Sequence, residues 1–470
     1  MFGRLKRVHF VGIGGVGMSG IALVLKNMGF EVTGSDVKES ETTRKLAEAG
    51  IRVAIGHDSA NCADVQVVVY SSAVRSENPE LECARAREIP VIRRAEMLAE
   101  LMRMKFSVAI SGSHGKTTVT SIVAHLMERA GLDPTSVIGG RVAGTGMGNG
   151  ESGIGGRLGQ SQYLVAEADE SDRSFLALYP TIAVVTNIER EHLDVYHDLA
   201  DIKREFVRFV NRVPFYGSVV LGMDSPAVRS IRNRAKRRVV TYGLGTKDQG
   251  PGTRNLDFRA RDVQLYGFSS AFTLLYGGKE VGRFNLPVPG IHNVANALAA
   301  LATGNELGID FEAMAQGLAV FSGVHRRLEK LGEKDGVMVF DDYGHHPTEV
   351  RVTLDALRHA FPDRRILVVF QPHRYTRTKA LAEEFGTCFA AADELILTKI
   401  YAASEPEIPG VDATLILKAV EAAGKPGVSY VPELADVPGV LAGKLRKGDV
   451  VLIAGAGNIC TIGAEILAKQ

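Results

Sequence analysis

The sequence predicts an α/β protein of three domains: an N-terminal Rossmann-like domain over residues 1–103, a central P-loop ATPase-type domain over 104–323, and a C-terminal Rossmann-like α/β domain over 324–470. Its 470 residues are roughly three times the ~150 of a common domain. Short apolar strand patterns alternate with helical stretches in three successive blocks, the signature of parallel sheets covered by helices. Glycine, at 51 residues, is in excess and clusters directly after apolar runs, where phosphate-binding turns lie.

In the first block, residues 8–11 form an apolar run that breaks into Gly12-Ile13-Gly14-Gly15-Val16-Gly17, and a helical pattern follows through Ile21, Val24 and Leu25. A second strand pattern begins at Glu31 and ends at Asp36, where a dinucleotide-binding unit places its ribose-binding acid. Gly12, Gly14, Gly15, Gly17 and Asp36 are therefore candidates for holding a nucleotide-like ligand, against the plainer reading of a tight turn. Residues 51–53 and 65–70 continue the alternation.

The second block opens with the strand pattern 106–110 and runs into Ser111-Gly112-Ser113-His114-Gly115-Lys116-Thr117-Thr118, then a helical run. Backbone N–H groups and a positive helix end converge on such a turn, making it an anion cradle. Gly112, Ser113, His114, Gly115, Lys116, Thr117 and Thr118 are the expected ATP site. Lys116 supplies a movable charge for the outer phosphates, and Thr117 sits where a hydroxyl ligand to magnesium belongs. The first glycine of the longer G-x-x-x-x-G-K-T pattern is replaced by Ile110. Residues 139–159, with ten glycines, read as a mobile loop or irregular hairpin. Strand patterns at 163–166 and 182–186 run into Glu167-Ala168-Asp169-Glu170 and into Asn187-Ile188-Glu189-Arg190-Glu191-His192. Parallel strands would deliver both sets beside the phosphate loop, where acids so crowded need a cation. With Thr117, Glu167 and His192 are the candidate ligands for Mg2+ or Mn2+; the plain alternative is helix caps and first-turn charges. Asn293 and Asn296 share one helical face after a Pro-Gly turn, and two amides there suit either a purine edge or an N-cap and a polar surface.

The third block carries strand patterns at 337–340, 366–370, 395–398 and 450–454. The first ends in Asp341-Asp342-Tyr343-Gly344-His345-His346-Pro347. The adjacent histidines look like a metal pair, but Pro347 closing the loop and the absence of a nearby Cys favour hydrogen bonding to substrate. Arg374 and Arg377 suit a carboxylate or phosphate, which a guanidinium grips with two donors.

Lys plus Arg is 55 against 54 for Asp plus Glu, which argues against a broad nucleic-acid or lipid-binding surface. Four scattered cysteines suggest neither a disulfide framework nor a zinc-thiolate site. No apolar run reaches the ~18 residues of a membrane span and no signal-peptide core precedes the first strand, so a cytoplasmic protein without membrane insertion is expected.

G-I-G-G-V-G-M-S-G-I-A (12–22), G-S-H-G-K-T-T (112–118), E-A-D-E-S-D (167–172), H-N-V-A-N-A (292–297), G-V-H-R-R-L-E (323–329), D-D-Y-G-H-H-P-T-E (341–349) and Q-P-H-R-Y-T-R (371–377), in this order along the chain, resemble the Mur ligases. The resemblance implies an enzyme that joins L-alanine to the lactyl carboxylate of UDP-N-acetylmuramate, with ATP giving ADP and phosphate through an acyl phosphate, in peptidoglycan precursor synthesis. It implies that Gly12, Gly14, Gly15, Gly17 and Asp36 hold the UDP part and that Asn293 and Asn296 contact adenine. Arg327 and Asp342 would reach ATP from the C-terminal domain. His345, His346, Arg374 and Arg377 would face the muramoyl carboxylate, the alanine carboxylate or the γ-phosphate, without individual assignment. A hinge is expected at residues 321–324, closing a monomer or weak homodimer around its substrates. Ser113 in place of Thr, Glu191 in place of Asp and the long 139–159 loop depart from the common pattern. Two other readings stand beside this one: a ligase that attaches a recycled peptide to the same sugar nucleotide, and an NAD-dependent oxidoreductase built on the first domain, which would leave Lys116, Thr117 and Glu167 without roles.

Overall fold

Each glycine turn anticipated after a strand bends the chain straight into a helix. The computed structural model describes residues 5–71, 73–139, 155–245, 255–403, 405–425 and 427–469. In the first sheet, β1 (Arg7–Val11), β2 (Glu31–Asp36), β3 (Arg52–Ile55), β4 (Val67–Tyr70) and β5 (Val91–Arg93) lie in the order 3-2-1-4-5, all parallel. The order reverses between β1 and β4, so the turn after β1 opens at the topological switch point, where such sheets bind ligands.

The second sheet holds β6 (Phe106–Ser111), β7 (Thr135–Val137), β8 (Gly156–Arg157), β9 (Tyr163–Glu167), β10 (Ile182–Val185), β11 (Ser218–Gly222), β12 (Arg238–Gly243), β13 (Phe258–Tyr266), β14 (Ser269–Tyr276) and β15 (Lys279–Leu286), in the order 15-14-13-12-11-10-6-9-7-8. Its centre is parallel, so β6, β9 and β10 deliver the phosphate loop and both acidic stretches to one edge. The antiparallel strands β13 to β15 are not among the sequence expectations. Their half-exposed faces break the continuous apolar runs that mark the parallel strands, and their signals are the turns at Gly267, Gly277 and Gly278, all at positive φ. Residues 140–154 of the glycine-rich stretch lie outside the described residues. At its end Gly156–Arg157 pairs antiparallel with β7, with Gly156 against Gly20, which agrees with the irregular-hairpin reading at that end.

The third sheet orders β16 (Glu329–Lys334), β17 (Val337–Asp342), β18 (Ile366–Phe370), β19 (Glu394–Leu397), β20 (Val428–Tyr430) and β21 (Val450–Ala454) as 16-17-21-18-19-20. Only β16 is antiparallel.

Burial separates the third unit from the other two. Met97, Leu98 and Met102, on the helix that ends the first unit, share one apolar core with Ala109, Leu164 and Ala166 of the central sheet. The third unit has its own core, touched from outside by Phe268, which stacks on Phe340 at 5.1 Å. Ion pairs such as Arg377–Glu191 and Arg374–Asp194 also join it to the centre, and polar interfaces of this kind are ones across which domains move. Among the described residues no helix is long and apolar enough to cross a membrane.

A buried network under the first sheet gives a stability prediction. Glu80 is fully buried and accepts hydrogen bonds from Ser35 Oγ (2.5 Å) and Asn61 Nδ2 (2.6 Å), with His9 Nε2 at 3.7 Å. Burial pushes its carboxyl up, but His9, Ser35 and Asn61 together outweigh that and hold it at about 2. Its depressed value stabilises the fold above the unfolded carboxyl range and loses that contribution as pH falls from about 4.5 towards 2. Glu80→Ala should cost about 3 kcal/mol at neutral pH by stranding buried donors, and Glu80→Gln should flatten acid unfolding over that window. Thermal melts across pH check both.

Candidate functional site

The phosphate loop is fixed from below before any ligand enters. Apolar β6 ends at Ser111; Gly112 and Gly115 then take φ of +137° and +82°, which only glycine adopts without strain. A Cβ on Gly115 would also lie 2.5 Å from Asn296 Oδ1. The end of β10 holds the loop: His114 N donates to Asn187 Oδ1 (2.8 Å), while Thr186 Oγ1 and Asn187 Nδ2 donate to the His114 carbonyl (2.6 and 3.1 Å). Glu189 N donates to Ser113 Oγ (2.9 Å), a contact any hydroxyl makes, so Ser in place of Thr costs nothing there.

Lys116 begins the helix Lys116–Arg129 and folds back over the loop. Its Nζ donates to the carbonyls of Gly112 (2.6 Å) and Ser113 (3.3 Å) and to Glu170 Oε1 (2.7 Å). Burial lowers the affinity of its amine for a proton, but Glu170 and Asp169 more than restore it, so the charge is fixed well above the ordinary lysine range. Glu170 is the member of the acidic stretch that pairs with this lysine; being the third acid of Glu167-Ala168-Asp169-Glu170, it was legible only as one acid among several.

Glu167 ends β9, with Oε1 accepting from Gly139 N (2.7 Å) and the Thr117 hydroxyl hydrogen-bonded to its carboxylate. Burial raises its pKa despite those contacts and Lys116 nearby. A hydroxyl and a desolvated carboxylate side by side fit a hard divalent cation. His192, at φ +54°, faces Glu170 Oε1 (3.6 Å) and Glu191 Oε2 (3.7 Å). Burial opposes its protonation, and those two carboxylates overcome that and raise its pKa.

Across the cleft, the third unit brings its arginines to the same stretch. Arg377 Nη2 meets Glu191 Oε1 at 3.0 Å and Arg374 Nη1 meets Asp194 Oδ2 at 3.3 Å. They line a small pocket with His192 and Thr376. Arg377 Nε is buried with no hydrogen-bond partner among the described residues. His345 donates from Nδ1 towards the Tyr343 carbonyl (3.0 Å), with Nε2 at 3.8 Å from Glu191. His346 caps the helix Pro347–Ala360, and burial lowers it to about 4, so its ring is neutral. Asp342 accepts Leu328 N and Gly344 N (2.7 Å each) and is raised to about 6 by burial; Arg327 lies over the Tyr343 ring at 5.4 Å.

Asn296 donates to Asn293 Oδ1 (3.1 Å), and Asn293 donates to the Pro289 carbonyl (2.7 Å), so the two amides do share a face, beside Gly115. In the first unit Asp36 Oδ2 accepts Gly14 N at 2.9 Å, while Gly12 N and Ile13 N donate to the Ser35 carbonyl (2.8 and 3.0 Å). Gly17 lies against Arg94, whose Nη2 reaches Asp169 Oδ2 at 3.2 Å and so joins the first turn to the central acids. Sequence reasoning missed Arg94, Glu189 and Glu349. Only Glu349 carried a local signal, the Glu of a capping box at the start of a helix.

Comparison with known proteins adds the rest. Residues 7–106 match the model of the Mur ligase family catalytic domain, 110–304 the Mur ligase middle domain, and 326–457 the Mur ligase glutamate ligase domain. The chain is 51% identical to the UDP-N-acetylmuramate–L-alanine ligase of Trichlorobacter lovleyi, with all of both chains covered. It is 51% identical to the protein of the same name from Sorangium cellulosum, covering 100% of this chain and 98% of that one. A crystal structure of the UDP-N-acetylmuramate-alanine ligase of Thermotoga maritima superposes with a TM-score of 0.82 at 28% identity, covering 99% of each chain. A murein peptide ligase of Psychrobacter arcticus shares the fold, with a TM-score of 0.73 at 23% identity over 99% of this chain and 98% of that one.

Proposed function

The chain belongs to the Mur ligase family, and from that premise we propose how its residues carry out the reaction. It is an ATP-dependent ligase that joins L-alanine to UDP-N-acetylmuramate, a step of peptidoglycan synthesis. The observation that supports the residue-level reading is a run of contacts across the cleft, from Lys116 to Glu170, through His192 to Glu191, and from Glu191 to Arg377 of the third unit.

In this reading the loop amides of residues 112–117 hold the ATP phosphates, and Lys116 exchanges the Gly112 and Ser113 carbonyls for phosphate oxygens while Glu170 keeps its charge in place. Asn293 and Asn296 contact adenine, and Arg327 and Asp342 close over the nucleotide. Thr117 and Glu167 would hold Mg2+ or Mn2+, with His192 beyond them. Bound there, the ion spreads the charge that builds on the transferring phosphoryl group. Gly12, Gly14, Gly15, Gly17 and Asp36 seat the UDP moiety. The lactyl carboxylate attacks the γ-phosphorus in line, ADP leaves, and the acyl phosphate forms. The uncharged amine of alanine then adds to the carbonyl, phosphate departs with the bridging oxygen, and the amide remains. Arg377, whose Nε lacks a partner, is suited to take a substrate carboxylate, with Arg374, His345 and His346 around it. Ser322 and Gly323, at φ +88°, are the joint on which the third unit swings. The enzyme works in the cytoplasm, as a monomer or weak homodimer.

ADP release with UDP-N-acetylmuramate present should be fastest with L-alanine in a screen across amino acids, and absent without the sugar nucleotide. Faster release with a murein tripeptide would assign the chain to peptide recycling.

A further inference from the structure

One interdomain cluster is left over once the reaction has taken its residues. His114 sits inside the phosphate loop with its backbone pinned on both sides by Thr186 and Asn187. Its ring is mostly buried and stretched between two acids: Nδ1 lies 3.1 Å from Glu349 Oε1 on the third unit, and Nε2 lies 3.3 Å from Glu189 Oε2 on the central one. Thr348 Oγ1, also on the third unit, donates to the same Glu189 oxygen at 2.7 Å. Glu349 Oε2 in turn accepts from His345 N (3.0 Å) and His346 N (3.2 Å), so its carboxylate cannot turn away without uncapping its helix. Arg327 (3.9 Å from Glu349) and the His346 ring (4.8 Å from the His114 ring) complete the surroundings.

An imidazole facing carboxylates at both nitrogens satisfies both only as a two-donor cation, since the neutral ring would turn a lone pair towards one of them. Burial disfavours that cation, but the hydrogen bonds that His114 donates to Glu189 and Glu349 outweigh burial and hold it at about 10. His114, Glu189 and His346 offer ligand atoms within 4.8 Å of one another, yet a ring donating from both nitrogens has no lone pair for a metal, so the geometry favours an ion-pair latch.

We infer that His114 is a positioning residue: its imidazolium, bridging Glu189 and Glu349, latches the third domain onto the phosphate loop and so ties domain seating to the shape of the ATP cradle. This rests on the ligase reading for its effect on turnover, but not for its effect on domain seating. Unlike the Arg377–Glu191 and Arg374–Asp194 pairs, this contact is made by a residue of the loop itself. When the third unit swings away, His114 loses both Glu349 and the His346 ring, and Glu189 loses Thr348.

The test uses the full-length protein with His114→Phe, Glu349→Gln and the double variant. Glu349→Gln keeps an oxygen for His345 N and His346 N, so the helix cap survives. Each single variant should lower kcat about tenfold to a hundredfold, the effect of losing a buried charged hydrogen bond. ADP affinity should stay within about threefold, because the cradle itself remains. The double variant should be little worse than the poorer single one, since both break one contact. Without ligands, small-angle scattering should give both single variants a larger radius of gyration than wild type. An unchanged radius of gyration in Glu349→Gln would overturn the latch, as would losses that multiply in the double variant or fall on ADP affinity instead of kcat. Wild-type protein that forms no amide bond would contradict the ligase reading alone, because the scattering comparison still decides the latch.

Discussion

Lys116→Ala should abolish ligation while leaving binding of UDP-N-acetylmuramate nearly unchanged. In the proposed mechanism Lys116 is the charge that meets the ATP phosphates, and removing one such transition-state contact commonly costs about 2.7 to 4 kcal/mol, or a hundredfold or more in rate. The proposed seat of the sugar nucleotide, at Gly14 and Asp36, is on a different sheet, so its affinity should hold. The substitution also strands Glu170, which is 2% exposed and loses its 2.7 Å partner. A buried carboxylate that loses its partner costs up to roughly 3 to 5 kcal/mol, and His192 at 3.6 Å offsets part of that, so Lys116→Ala should melt earlier than wild type. Pairing Lys116→Met with Glu170→Gln should recover much of that stability and none of the activity. Steady-state ADP release, titration with the UDP-sugar and thermal melts separate the three effects; a variant keeping more than about a tenth of wild-type turnover would refute the assigned role.

Glu167→Gln should be nearly as damaging, by a different route. Its carboxylate is hydrogen-bonded with Thr117 and raised by burial, and in the proposed mechanism it holds the ion with that hydroxyl. The amide preserves shape and can still accept from Gly139 N, so folding should be little changed. Turnover should fall about a hundredfold, and the concentration of Mg2+ giving half-maximal rate should rise sharply, because an amide oxygen is a poor ligand for a hard dication. A rate loss with no shift in the Mg2+ dependence would place the ion elsewhere. Thr117→Val should show the same shift in smaller measure, since a neutral hydroxyl contributes less than a carboxylate.

The parts of this protein that were readable in advance are those whose signal is local. Apolar runs broken by glycine marked β1 and β6 and the helices behind them, because a tight turn at positive φ leaves few other residues possible. Lys116 and Thr117 followed from their place at a helix start, and Asn293 and Asn296 from their spacing on one face. What stayed hidden depends on partners far along the chain. Glu191 stood out only as a Glu where the family pattern has Asp, yet the fold sets it against Arg377, 186 positions away. Glu349 was visible only as a capping acid, and its meeting with His114 is settled by how one sheet seats on another. The antiparallel strands β13 to β15 escaped because their exposed faces dilute the hydrophobic signal. His346 was weighed as a metal ligand or substrate contact, while in the fold its Nδ1 caps a helix (Thr348 N at 3.3 Å).

The most direct test of the central claim follows an oxygen atom. UDP-N-acetylmuramate carrying 18O in both lactyl carboxylate oxygens is incubated with the protein, ATP, Mg2+ and L-alanine, and the products are weighed by mass spectrometry. Attack of the carboxylate on the γ-phosphorus, followed by displacement by the alanine amine, predicts UDP-N-acetylmuramoyl-L-alanine with one 18O in its new amide and one 18O in each inorganic phosphate released. Amide formed with unlabelled phosphate, or ADP released with no amide at all, would contradict it.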